Sequence, residues 1–167
     1  MKNKRIAYLG MLIGLAFIFS YIETLIPFTF AVPGIKLGLA NIVVMVGLYL
    51  LGEKDAFFLS LVRIVLVGFT FGNLSTMLYS LGGGLLSYLI MVIAKKTRAF
   101  SMKGVSILGG VFHNAGQIMV AMVVLETKQL IYYLPPLMVA GTITGYFVGL
   151  LGTMITERIK KGIENQI

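Results

Sequence analysis

Ionisable and amide side chains set inside long apolar runs are the residues of this sequence equipped for chemistry. Arg63 lies in LSLVRIVLVG, seven positions into an apolar stretch that begins at Ala56. At ~1.5 Å of rise per residue it stands ~11 Å from the charged end of that stretch, too deep to reach water easily by extending its side chain. A guanidinium at that depth either pairs within the protein or meets an anionic ligand or a wet cavity. The segment VFHNAGQI adds His113, Asn114 and Gln117. His113 and Gln117 are four apart and share a helix face, with Asn114 three before Gln117. A lone histidine of this kind is more often a satisfied packing residue than a ligand contact, yet its depth matches that of Arg63. Toward the opposite end lie Glu23, Lys36, Asn41, Asn73 and Glu126. The expected site therefore has Arg63 and His113 as the floor of a cavity. Asn41, Asn114 and Gln117 are its polar contacts, with Glu23 and Lys36 at the mouth. Its positive groups favour a ligand carrying a carboxylate or phosphate.

Several kinds of chemistry are excluded by what is missing. There are no cysteines, so disulfides, thiolate metal sites and cysteine nucleophiles are absent, and a single histidine cannot build a His-rich metal cage. The one aspartate, Asp55, sits in the short turn GEKD, so no Asp-rich pair exists to hold the magnesium ions of a prenyl-diphosphate synthase. No G-x-x-x-x-G-K-[ST] loop is present to cradle nucleotide phosphates, and no nucleophile-elbow pattern accompanies His113. Neither a catalytic role, a metal nor a cofactor is expected. A transporter lacking its own motor uses an ion gradient or a partner that hydrolyses ATP. With no acid at mid-membrane depth, partner-driven uptake fits better than an ion-coupled carrier.

The elements that must position these residues follow from composition. Of 167 residues, 58% are hydrophobic and 12% charged, with a mean hydropathy of +0.96. That is too much apolar surface for a soluble fold of this length. A helix needs ~20 mostly apolar residues to cross the hydrocarbon core. Six stretches qualify or nearly do: Ile6–Ile26, Leu37–Gly52, Ala56–Gly72, Leu74–Ala94, Gly104–Thr127 and Gln129–Thr156. The second and third are short, and Pro135-Pro136 is expected to break the first turns of the sixth away from the span. Segments of alternating polarity suited to a β-barrel are absent.

With a cytoplasmic N-terminus, the inner side holds Lys2, Lys4, Arg5, Lys54, Lys95, Lys96, Arg98, Lys103, Arg158, Lys160 and Lys161, and the outer side only Lys36 and Lys128. This asymmetry predicts an even number of spans and two cytoplasmic termini. The net charge of +8 thus belongs to loops between spans and does not indicate a nucleic-acid partner. The opening MKNKR and its apolar run look like a signal peptide, but the run is long and no A-x-A site follows it, so an uncleaved first span is expected. The expected fold is an all-α integral membrane protein of six transmembrane helices, one domain over residues 1–167.

Small residues mark where helices approach one another. Gly141, Gly145 and Gly149, followed by Gly152, form a packing stripe on the sixth span. Gly82-Gly83-Gly84 fits a bend, a close helix contact or backbone exposed to a ligand. Ala7, Gly10 and Gly14 line one face of the first span and suit either internal packing or docking of another membrane subunit. The segment PFTFAVPGIK, Pro27–Lys36, has a fixed non-helical course. It suits either an interfacial loop or a lid over an outward cavity.

The stretch AVPGIKLGLANIVVMVGLYLLGEKDAFFLSLVRIVLVGFTFGN resembles the small bacterial membrane proteins called Gx transporters, also known as heptaprenyl diphosphate synthase component I. PGIKLGLAN, the GEKD turn and Arg63 are its most specific parts. That group is similar to the substrate-binding S components of energy-coupling factor (ECF) transporters, six-helix proteins of the bacterial cytoplasmic membrane. The resemblance implies capture of a vitamin or similar micronutrient near the outer face. It implies a loop at the position of Pro27–Lys36 that closes over the ligand, and docking onto a transmembrane T component with two ATPases. Ala7, Gly10 and Gly14 would take the docking role, with glycine at two positions where such proteins usually have alanine. The synthase name implies instead a non-catalytic membrane accessory of prenyl-diphosphate or quinone synthesis.

Overall fold

Helix α1 runs over Lys2–Leu25, α2 over Asn41–Leu50, α3 over Glu53–Phe71, α4 over Leu74–Thr97, α5 over Met102–Val124 and α6 over Leu134–Glu164. This is a computed structural model, and it describes residues 2–25 and 38–164. No strand occurs among the described residues. Four stretches are long and apolar enough to cross a membrane: Arg5–Leu25, Leu74–Thr97, Met102–Val124 and Lys128–Gly162. Their exteriors carry exposed Ile6, Ile18, Leu89, Val123, Ile143 and Leu151, an apolar surface that water would not tolerate and lipid does. The protein is a multi-pass membrane protein.

Local sequence explains the ends. Asn73 caps α4 by accepting from the Thr76 amide at 2.9 Å, while the Thr76 hydroxyl accepts from the Asn73 amide at 2.8 Å. Two orphan donors are satisfied at once, which gives Asn73 a structural role. Ser101 caps α5 in the same sense. A 3-10 turn over Lys128–Tyr133 precedes α6, and Pro135 and Pro136 occupy its first turn, where a missing N–H costs nothing. The break expected in the sixth span is this change of helix type.

The second helix is the shortest and sits innermost. Every residue from Asn41 to Leu48 is buried, and its Ile42, Val43, Val44, Val46 and Leu48 pack with Leu12, Ala16, Leu59 and Val148 of α1, α3 and α6. Ten residues span only ~15 Å, so α2 fills the bundle centre without matching the hydrocarbon thickness by its own length.

Glycines set the closest contacts. A Cβ on Gly83 would lie 2.7 Å from the His113 carbonyl oxygen, and one on Gly116 would lie 2.6 Å from the Gly82 carbonyl oxygen. Of the three readings of the Gly82–Gly84 run, the structure thus selects close helix contact, here between α4 and α5. On the other side of α5, a Cβ on Gly141 would meet the Gly110 carbonyl oxygen at 2.7 Å, and one on Gly145 the Ile107 Cα at 2.8 Å. The stripe on α6 is a backbone-to-backbone seam.

One end of the bundle is tied by ions. Arg5 donates to both carboxylate oxygens of Asp55, from Nε at 2.6 Å and from a terminal nitrogen at 2.5 Å, fastening α1 to the start of α3. Lys96 pairs with Glu53 at 3.0 Å, and the Lys95 ammonium donates to the Leu48 carbonyl at 2.6 Å. At the other end, Phe71 of α3 stacks tilted against Phe17 and Tyr21 of α1, with centroids 4.8 and 5.3 Å away.

Candidate functional site

The polar residues converge where α2 begins. Gly38 adopts φ +85°, a left-handed conformation that suits glycine, and this turns the chain into α2. Its amide donates to the Glu23 carboxylate at 2.5 Å, and the Leu39 amide reaches the same oxygen at 3.3 Å. Glu23 thus neutralises the first free amides before a helix N-terminus, a position that favours negative charge. The side chain lies in the protein, with the residue 8% exposed, and not at an open mouth.

Asn41, the first residue of α2, accepts a hydrogen bond from a terminal nitrogen of Arg63 at 3.2 Å. Arg63 is buried as well, and its Nε has no hydrogen-bond partner among the described residues. The Glu23 carboxylate acts on it electrostatically. Ser20, Thr76 and Ser80 place hydroxyls beside a cavity of about 10 Å³ next to Arg63, about the size that holds one water.

His113 joins from α5. A Cβ on Gly38 would lie 2.8 Å from the Asn41 amide nitrogen and 3.2 Å from His113 Cδ2, so Gly38 is the point where Asn41 and His113 nearly meet. His113 Nε2 lies 2.8 Å from the Gln117 amide nitrogen. With that amide donating, the imidazole proton resides on Nδ1, which faces Gly83. A second cavity of about 10 Å³ lies between Gly38, Asn41, Ser106 and Thr144.

Five expected residues therefore form one buried group: Glu23, Asn41, Arg63, His113 and Gln117. Asn114 is directed elsewhere, since its amide donates to the Leu137 carbonyl at 2.6 Å and ties α5 to the first turn of α6. Lys36 and the loop Pro27–Lys36 lie outside the described residues. Gly38 was not singled out from sequence, and neither was Ser20. Ser20 precedes Glu23 by three positions, the helical spacing that puts two residues on one face, and that spacing was the available signal.

On α1, Ala7, Gly10 and Gly14 are exposed, and a Cβ added to Gly10 or Gly14 would meet nothing within 4 Å. These residues take no part in close packing among the described residues.

Four long apolar helices, a buried polar group at the bundle centre and an apolar exterior define an all-helical membrane protein. Its fold is similar to that of a solved bacterial protein described as the S component of an ECF transporter, with a TM-score of 0.62 and 18% sequence identity. The match covers 98% of this chain and 99% of that one. Residues 12–155 match the family described as heptaprenyl diphosphate synthase component I, and the chain belongs to that family. Nothing among curated proteins matches the sequence.

Proposed function

We propose that this chain is a membrane-embedded substrate-binding subunit for uptake of a small organic micronutrient. It crosses the bacterial cytoplasmic membrane six times with both termini inside. A partner T component and its ATPases supply the energy, and the chain itself catalyses nothing. The observation that carries this reading is the buried group Glu23–Gly38–Asn41–Arg63–His113, set in a fold similar to that of an S component. Arg63 has a donor to spare and a small polar cavity beside it, which suits a carboxylate or phosphate.

Pockets for small organic ligands run to ~300–1,000 Å³. The two cavities beside the buried group are far smaller, at about 10 Å³ each. Admission of a nutrient therefore separates the elements around Arg63, with Pro27–Lys36 and Lys36 acting as lid and mouth. Ala7, Gly10 and Gly14 form the face offered to the T component, which agrees with their exposure.

Native mass spectrometry of the gently purified protein tests the reading. A retained small molecule that is lost in Arg63→Leu, with the variant still folded in detergent, supports it. Unchanged affinity in that variant removes Arg63 from the site.

The family match favours one other reading, a non-catalytic membrane accessory of heptaprenyl diphosphate synthase. That reading requires stoichiometric co-purification with a soluble prenyltransferase and no bound nutrient. Transport by this protein alone in liposomes would point instead to an ion-coupled carrier.

A further inference from the structure

The cavity beside Arg63 has a charge pattern that narrows what it can admit. Among the described residues that line it, Arg63 is the one cation, and Ile64 and Val67 supply apolar wall. Ser20, Thr76 and Ser80 bring hydroxyls to the same space. The Thr76 hydroxyl is already engaged, accepting from the Asn73 amide at 2.8 Å and donating to the Asn73 carbonyl at 2.9 Å. That leaves Ser20, Ser80 and the unpartnered Arg63 Nε to meet an incoming group.

The opposing charge comes from α1. Glu23 lies one helical turn beyond Ser20 on the same face, and both are buried. The Gly38 and Leu39 amides fix its carboxylate, and the Gly38 carbonyl accepts from the Asn41 amide at 2.9 Å. Asn41 in turn accepts from Arg63. This chain of contacts holds a buried negative charge near the guanidinium, on which it acts electrostatically. A neutral amide oxygen at the same place could accept from the same two backbone amides. The turn into α2 therefore needs the acceptor and not its charge.

We propose, resting on the reading of this group as a nutrient site, that Glu23 sets the charge of the ligand. The Arg63 cavity then admits the single negative charge of a carboxylate and rejects the dianion of a phosphate monoester. Arg63 compensates a monoanion, and Ser20 and Ser80 donate to it. A second charge meets no further cation among the described lining residues, and Glu23 repels it through a protein interior that screens poorly.

Acetate, dimethyl phosphate and methyl phosphate test this on the full-length protein in detergent. At about pH 8 the last is a dianion and the other two are monoanions. Affinity is read from the concentration dependence of the melting temperature at constant ionic strength, counting only the part that Arg63→Leu removes. Acetate and dimethyl phosphate should each bind about tenfold more tightly than methyl phosphate. In Glu23→Gln, which keeps an oxygen for the Gly38 amide, that ratio should fall by about tenfold as methyl phosphate gains. Ser20→Ala should weaken all three probes alike and leave the ratio as it was. If Glu23→Gln does not fold, the two phosphate esters decide the matter in the parent protein, since they differ by one charge and one methyl group. Equal binding of those esters by the parent overturns the proposal. So does a preference that survives Glu23→Gln, or the lack of any response that Arg63→Leu removes. The uptake reading is decided separately, by whether native mass spectrometry finds a retained small molecule that depends on Arg63.

Discussion

The guanidinium of Arg63 has five N–H donors, and one hydrogen bond to Asn41 uses only part of them. A buried donor left over costs ~1–3 kcal/mol, so its retention implies a use that the closed bundle does not supply. Replacing Arg63 by Leu should abolish nutrient binding while the protein remains folded. Arg63→Lys should restore charge but not the planar two-point contact, leaving binding weakened by at least about tenfold. Isothermal titration with the molecule identified by mass spectrometry distinguishes the three proteins. Asn114 makes the contrasting case. Its amide is committed to Leu137, so Asn114→Leu should lower the unfolding temperature, by ~1–3 kcal/mol of stability, through the stranded carbonyl. If the loss appeared in affinity with the melting temperature unchanged, Asn114 would belong to the site.

Helix pairs in this bundle are held by two different means. Between α4, α5 and α6, backbones touch at glycines, and any side chain there meets a carbonyl that cannot move aside. Gly116→Ala places a methyl 2.6 Å from the Gly82 oxygen, and Gly141→Ala places one 2.7 Å from the Gly110 oxygen. Each should cost ~1–3 kcal/mol, read as a lower midpoint of thermal unfolding in detergent, with Gly141→Ala also pressing on Asn114. Helix α1 has no such glycine seam and is held by the core packing of Leu12 and Ala16, the Arg5–Asp55 fork, the Glu23 bond to the Gly38 amide and the aromatic contacts of Phe71. Hydrogen bonds from the Arg5 guanidinium hold the Asp55 carboxyl below the usual carboxylate range, outweighing the opposing effect of burial, and the Arg5 charge adds a smaller push in the same direction. A carboxylate with a depressed folded pKa stabilises above its unfolded value of ~3.9 and loses that contribution as pH falls through the folded value. The difference in melting temperature between the protein and Asp55→Asn should therefore be present at neutral pH and vanish at strongly acid pH. Because Arg5 is exposed, screening by solvent should keep that difference small. A difference that persists unchanged at strongly acid pH would assign it to something other than the ion pair.

At the scale of the whole molecule, α1 turns Leu12, Ala16, Ser20 and Glu23 into the bundle and leaves Ala7, Gly10 and Gly14 exposed on its outer face. Gly10→Leu and Gly14→Leu have open space to occupy, so stability should hardly change. If that face docks a T component, the same variants should lose co-purification with it and with the ATPases. Loss of nutrient binding by the isolated variants would contradict a docking role, since the buried polar group does not include this face.

Apolar run length, lysine and arginine placement and the glycine stripe were enough to read a helical membrane bundle from sequence, because the bilayer punishes exposed backbone and charge irrespective of tertiary detail. The prominence of Arg63, His113 and Gln117 was legible for the same reason. Their meeting was not. It depends on a left-handed Gly38 that brings Asn41 under Arg63 and beside His113, across elements far apart in the chain. Nor could sequence separate Asn114 from Gln117, three positions away, since which carbonyl lies opposite an amide is fixed by how α6 packs on α5. The small residues of α1 and α6 look alike as letters. Only the packed bundle distinguishes them, because a seam and an open face differ in whether another backbone lies across them.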